Sequence, residues 1–150
     1  MRVIRNINPC LMVVTETEAN YNSPTFVKCF IEFLFFENAC FDCLEDCMRW
    51  DDKHRIIIEL TFCRASIQNI IVEEGESRKI RSVKIDVWRA FFARYGLVGA
   101  ELSSSSLYQA ELVLKKFPSW SSCMLGMNGK SLIVGWKGTP IFPLSVWKFL

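Results

Sequence analysis

The sequence has one histidine, His54, and none of the glycine motifs that cradle phosphate or present a nucleophile: no Gly-x-Gly-x-x-Gly, no Walker loop, no Gly-x-Ser-x-Gly. A Ser/His or Cys/His catalytic pair would have to use His54. That residue stands in the charged stretch Asp51-Asp52-Lys53-His54-Arg55, where a surface imidazole beside two carboxylates needs no catalytic explanation. Long apolar runs are also lacking, because Lys28, Glu32 and Glu37 interrupt the longest stretches before the roughly 18 residues of a membrane span. Nor is there an excess of charge. A net +2 over 150 residues gives no general pull toward nucleic acid, membranes or acidic substrates. There is no Asn-x-Ser/Thr acceptor, and Met1 to Asn8, with two arginines, does not read as a signal peptide. The seven cysteines, an odd number, therefore predict a reduced compartment and small buried hydrophobes, not a disulfide framework.

What the chain does have is apolar surface. At 51% apolar residues it can offset its ordering entropy, and at 150 residues it should bury roughly 68–70% of its unfolded surface as one domain, 1–150. The short apolar run Leu11 to Glu16 predicts a strand buried on both faces of a parallel sheet. Ser23-Pro24 predicts the N-cap and first residue of a helix whose apolar positions are Phe26, Phe30, Phe33, Leu34, Phe41, Leu44 and Met48, with Lys28, Glu32 and Asp42 outward. A second helix from near Ile56 leads to a second buried strand, Asn69 to Val72, followed by the loop Glu73-Glu74-Gly75-Glu76. Val83, Val87, Trp88, Phe91, Phe92 and Tyr95 mark one face of a further helix, stopped at Gly96.

A strand over 97–102 follows, then a helix with Leu107, Ala110, Leu114 and Phe117 along one side, ended by Pro118. Met124 to Met127 and Ser131 to Trp136 flank Asn128-Gly129, a strong hairpin signal. The pattern predicts an α/β fold: the second half of a doubly wound, Rossmann-like, mostly parallel sheet with flanking helices and a C-terminal antiparallel hairpin at its edge.

Candidate chemistry is sparse. Glu16, Glu18, Glu73 and Glu74 fall just past predicted strand ends, where ligands bind open α/β sheets, yet solvated loop acids fit the same pattern. Cys40, Cys43 and Cys47 share a helical face among Phe41, Leu44 and Met48. That spacing fits packing better than a zinc site, which generally needs a pair from a turn plus a second pair. No cofactor and no metal is called for. Arg78, Lys79, Arg81, Lys84 and Arg89 form the one dense basic cluster, interleaved with Ile80, Val83 and Trp88. With Glu73, Glu74, Glu76 and Asp86 close by, internal ion pairs outweigh direct DNA contact. Ser103 to Ser106 read first as a helix N-cap, with phosphorylation tolerated there by the helix dipole.

Several of these residues together resemble the carboxy-terminal part of the plant GRAS family of transcriptional regulators, over nearly all of the chain from Asn8 onward. Gly135-Trp136-Lys137, Pro140 and Ser145-Val146-Trp147 look like that family's terminal motif, with Val146 in place of the usual alanine. Pro9, Phe35-Phe36, Arg55 and Glu59 resemble the preceding motif. Asn69 to Gly75, then Arg78, Arg81 and Trp88-Arg89, resemble the strand, acidic-glycine loop and basic helix start, with Ser82 where histidine is common. The resemblance implies a core related in shape to methyltransferases and a non-enzyme in the nucleus. It also implies a regulator that contacts other transcription factors and family members, with a homo- or heterodimer in the complete domain. Residues 1–150 would be one partial domain, its amino-terminal half absent, and Leu11 to Glu16 would expose a pairing edge that makes the chain poorly soluble alone. Arg78, Arg81, Trp88, Trp136, Lys137 and Trp147 are the motif positions expected to shape the partner surface. The competing expectation is a methyltransferase-like remnant using Glu16, Glu18 and Glu73 near a nucleoside cofactor.

Overall fold

A computed structural model describes residues 2–73 and 76–150. Glu74 and Gly75 lie outside the described residues. The chain opens with a short helix, α1 (Arg2–Ile7), stopped where Asn8 turns to a φ of +47° and its N–H reaches back to the Ile4 carbonyl. Then come β1 (Met12–Thr15) and the long helix α2 (Phe26–Cys47). Thr25, not Ser23, is the N-cap of α2, and Pro24 stays outside the helix. Its inward face also differs from the expected one. Cys29, Phe33, Glu37 and Ala39 are buried, while Phe26, Leu34 and Phe41 are exposed. The helix is apolar on more than one side, so spacing alone does not choose the buried stripe, and the small cysteines let it approach its neighbours closely.

The next segment is helical throughout. Asp51 caps α3 (Asp52–Ile58), its side chain accepting from the His54 backbone N–H. A π-helical turn, Glu59–Cys63, leads into α4 (Arg64–Ile67) and a second π-helical turn, Gln68–Val72. The strand expected over Asn69 to Val72 is therefore helix. Four apolar residues do not distinguish the two states, and here one of them, Ile70, is buried against Tyr21, Cys29 and Phe33. Asn69 ties the end of this segment to the following loop by accepting from the Ile80 N–H at 2.7 Å.

Helix α5 (Ile85–Arg94) ends as expected at Gly96, whose φ of +76° is open to glycine, and strand β2 (Leu97–Ala100) follows. The serine run caps α6 (Ser104–Leu114), with Ser103 Oγ accepting from the Ser106 N–H at 3.1 Å. The chain finishes as an antiparallel meander of β3 (Cys123–Asn128), β4 (Ser131–Trp136) and β5 (Thr139–Phe149). The β3–β4 hairpin stands where Asn128-Gly129 predicts it, with Gly129 at the first central position of the turn and φ +57°.

The sheet departs most from expectation. Its order is β1-β5-β4-β3 with β2 also on β5, and every pairing is antiparallel. The expected mostly parallel sheet is not what these residues build. Because β1 and β2 both pair with Val146 and Trp147, they flank β5 on opposite edges. They point the same way, as strands of a parallel sheet would, but β5 is inserted between them. Eleven residues long, β5 alternates strictly along its second half, burying Ile141, Pro143, Ser145 and Trp147, and so can pair on both edges. The hairpin is consequently not a marginal addition, since its second strand joins the central one. No helix among the described residues is long and apolar enough to cross a membrane.

Candidate protein-contact site

The terminal Gly-Trp-Lys run forms the tight connection between β4 and β5. Trp136 pairs with Thr139, leaving Lys137 and Gly138 as a two-residue turn with φ of +43° and +87°, the double positive φ of a type I′ hairpin. A lysine in that conformation is disfavoured on its own. Here its ammonium is held at 2.7 Å from Asp42 and 3.3 Å from Asp46 of α2, and its N–H donates to the Ser122 carbonyl at 2.7 Å. Trp136, 2% exposed, donates its indole N–H to the same Asp42 carboxylate at 2.6 Å. The hydrogen bonds from Lys137 and then Trp136 hold Asp42 below the usual carboxylate range, and Asp42 in return raises Lys137. Gly135 has no alternative: a methyl there would stand 2.5 Å from the Thr139 carbonyl oxygen and 2.5 Å from Met124 Cε.

Trp147 is buried at the other end of β5. Its indole N–H donates to Ser145 Oγ at 2.8 Å, which in turn donates to the Val14 carbonyl at 3.3 Å, linking β5 to β1. Its ring lies 4.8 Å from Phe92, on which Trp88 stacks at 5.5 Å. Trp88 is half-buried and its indole N–H has no partner. Trp136 and Trp147 thus act on the surface from beneath, by fixing α2 and α5 to the sheet.

Four members of the basic cluster, Arg78, Arg81, Lys84 and Arg89, are engaged internally. Arg89 reaches Asp86 at 2.5 Å and also grips the β3–β4 turn through Asn128 and Ser131. Lys84 pairs with Glu32 of α2 at 2.9 Å, an acid that sequence proximity did not single out. Arg78 reaches the Cys29 sulfur, and Arg81 Nε donates to the Arg78 carbonyl at 3.1 Å. Of the acids past strand ends, Glu18 caps α5, accepting from the Ile85 N–H at 3.0 Å, and burial raises its carboxyl. Glu16 directly follows β1, and Glu73 sits at the C-cap of the second π turn. No group of three His, Cys, Asp or Glu side chains among the described residues is arranged to hold a metal.

One acid went unremarked in the sequence as a functional group. Glu37 is buried on the inner face of α2, hydrogen-bonded with Cys63 and Ser66 of the π-helical segment, and one of its oxygens has no partner. Burial raises its carboxyl and, with the Glu37 charge, raises the Tyr21 phenol. The only sequence signal was its spacing of four from Phe33, on the same stripe.

The helix α2 also carries exposed apolar residues on a side away from its buried stripe. Val27 (61% exposed), Ile31, Leu34 and Phe35 (67% exposed) lie at i, i+4, i+7 and i+8 along the helix and are open to solvent. Ile56, Ile57, Leu60 and Phe62 are likewise exposed on the following helical segment. A cavity of about 380 Å³ opens beside Ile31 and Phe35, bordered by Glu18, Lys84 and Pro140. Apolar residues exposed together in this way make a candidate contact surface.

Residues 1–148 match the GRAS domain family. Scarecrow-like protein 18 of Arabidopsis thaliana is 29% identical over 149 residues, 99% of this chain and 33% of that protein. The DELLA protein RGA of Arabidopsis thaliana is 30% identical over 146 residues, 97% of this chain and 24% of that one. The crystal structure of SCL7 in Oryza sativa superposes with a TM-score of 0.89 at 25% identity, covering 98% of this chain and 41% of the other. The chain thus spans about a quarter to a third of the length of these curated relatives.

Proposed function

The chain belongs to the GRAS domain family, and on that premise we propose that it serves a nuclear transcriptional regulator through protein contacts and not through catalysis. The observation that carries this reading is the fold match to a GRAS structure over 98% of the chain, joined to an outward apolar side on α2. Family members named DELLA and Scarecrow-like support the regulatory role. The contact site is the α2 side, Val27, Ile31, Leu34 and Phe35, and its occupant is GRAS-domain polypeptide from outside the matched region. The solved relative extends well beyond the part this chain covers, so a family member carries polypeptide able to cover this side. Trp136 and Lys137 hold α2 against the sheet, and Trp147 does the same for α5. Arg78 ties the following loop to Cys29 of α2, Arg81 bonds the Arg78 carbonyl, and Trp88 stacks on Phe92 within α5.

Glu18 is committed to capping α5, which removes the best-placed acid from a methyltransferase-like site. The reading is tested in plant protoplasts with a tagged chain and a DELLA-responsive reporter. Nuclear accumulation and a reporter change that disappears in Ile31→Ser/Leu34→Ser/Phe35→Ser support it. Cytosolic retention, or calorimetric binding of S-adenosylmethionine, counts against it.

A further inference from the structure

Cys43 and Cys47 stand one turn apart on α2 with their sulfurs 4.0 Å from each other. Both are free and half-buried, and they pack with Cys40 and Cys123 around Ala39, Trp136 and Ile141. Nothing in the regulatory reading uses them. We infer that Cys43 and Cys47 form a dithiol site that captures monosubstituted trivalent arsenicals as a chelate within one helical turn.

The geometry selects this class of ligand. Structural zinc takes four ligands in a tetrahedron, and no third His, Cys, Asp or Glu side chain completes such a group among the described residues. A trivalent arsenic that already carries one carbon needs two sulfurs and no more. Proton chemistry points the same way. Burial, then the neighbouring Cys47, pushes the Cys43 thiol up to about 12, so a dication would have to displace a tightly held proton without help. Condensation with an arsonous acid supplies that help. Two As–S bonds form, two As–O and two S–H bonds break, and each thiol proton leaves with an arsenic-bound hydroxyl as water. Arsenic stays trivalent and no electron is transferred.

The other cysteines offer less. Cys10 is exposed, and Cys29 and Cys63 are buried. A lone thiol makes a single As–S bond that a free monothiol displaces. At Cys43 and Cys47 the second bond is intramolecular and resists such competition.

The test treats the reduced chain with one equivalent of phenylarsine oxide and reads the intact mass. The expected result is one adduct per chain that survives excess glutathione, is released by ethanedithiol, and maps by fragmentation to residues 43–47. Cys47→Ser should lose the glutathione resistance, while Cys10→Ser and Cys123→Ala keep it. An adduct that glutathione removes from the wild-type chain, or that maps to Cys40, Cys123 or elsewhere, overturns the assignment without reliance on any variant's folding.

Discussion

The β3–β5 meander and the helical stretch from α2 to Val72 use apolar residues in opposite ways. In the meander, β4 buries Ser131, Leu132, Ile133, Gly135 and Trp136, and β5 turns its alternate residues inward. The helical stretch has comparable apolar content but points much of it outward: Val27, Ile31, Leu34 and Phe35 on α2, then Ile56, Ile57, Leu60, Phe62, Ile71 and Val72. Hydrogen bonding does not require this difference, because helices and strands satisfy their backbones equally well. Apolar surface left in water forgoes roughly 25 cal/mol per Å². The contrast teaches that the meander completes its own packing, whereas the helical side leaves apolar surface uncovered, as the proposed contact with further polypeptide requires.

The largest effect should come from breaking the meander. Trp136→Ala removes a 2% exposed indole and its bond to Asp42, and should cost about 3–5 kcal/mol in urea unfolding. A midpoint that barely moves would place the core elsewhere. Gly135→Ala comes next, at about 1–3 kcal/mol, because the added methyl meets backbone at the Thr139 carbonyl. If Gly135→Ala were neutral, the close approach of the Thr139 carbonyl to Gly135 would be softer than it stands here.

Glu37→Gln should act in the opposite direction. Burial raises the Glu37 carboxyl, so the folded state binds its proton more tightly than the unfolded chain does. The stability this lends is full below the ordinary glutamate range and is lost as pH rises through the raised value. At neutral pH the glutamine variant should therefore be more stable than the parent, with a flatter pH dependence. Urea midpoints of both at acidic and neutral pH decide it. The smallest effect on stability belongs to the outward side of α2: Ile31→Ser and Leu34→Ser should each fall within about 0.5 kcal/mol of the parent. A loss as large as that of Trp136→Ala would show that side to be core.

The sequence disclosed the punctuation of the fold better than its pairing. Gly96, Ser103 and Asn128-Gly129 each marked a real boundary, because a positive φ or a capping oxygen is a local requirement. The direction of β5 relative to β1 is not local. It depends on a strand arriving some 130 residues later and inserting between β1 and β2, which leaves no trace in either short strand. The helical state of Asn69 to Val72 was hidden for a similar reason, since two π turns and one buried side chain, Ile70, decide it. At the candidate site, the terminal tryptophans and Lys137 were legible as a motif. Asp42, the partner of Trp136 and Lys137, was not, because its spacing predicts an outward position on α2 and only the folded sheet joins it to them.

The most direct test of this division of labour is surface plasmon resonance of the chain against immobilised full-length DELLA protein RGA. The account predicts saturable binding by the parent chain, and binding at least roughly tenfold weaker for Ile31→Ser/Leu34→Ser/Phe35→Ser with its circular dichroism unchanged. Equal binding by parent and triple variant, or none by either, would contradict the claim that the outer side of α2 is where this chain meets its partners.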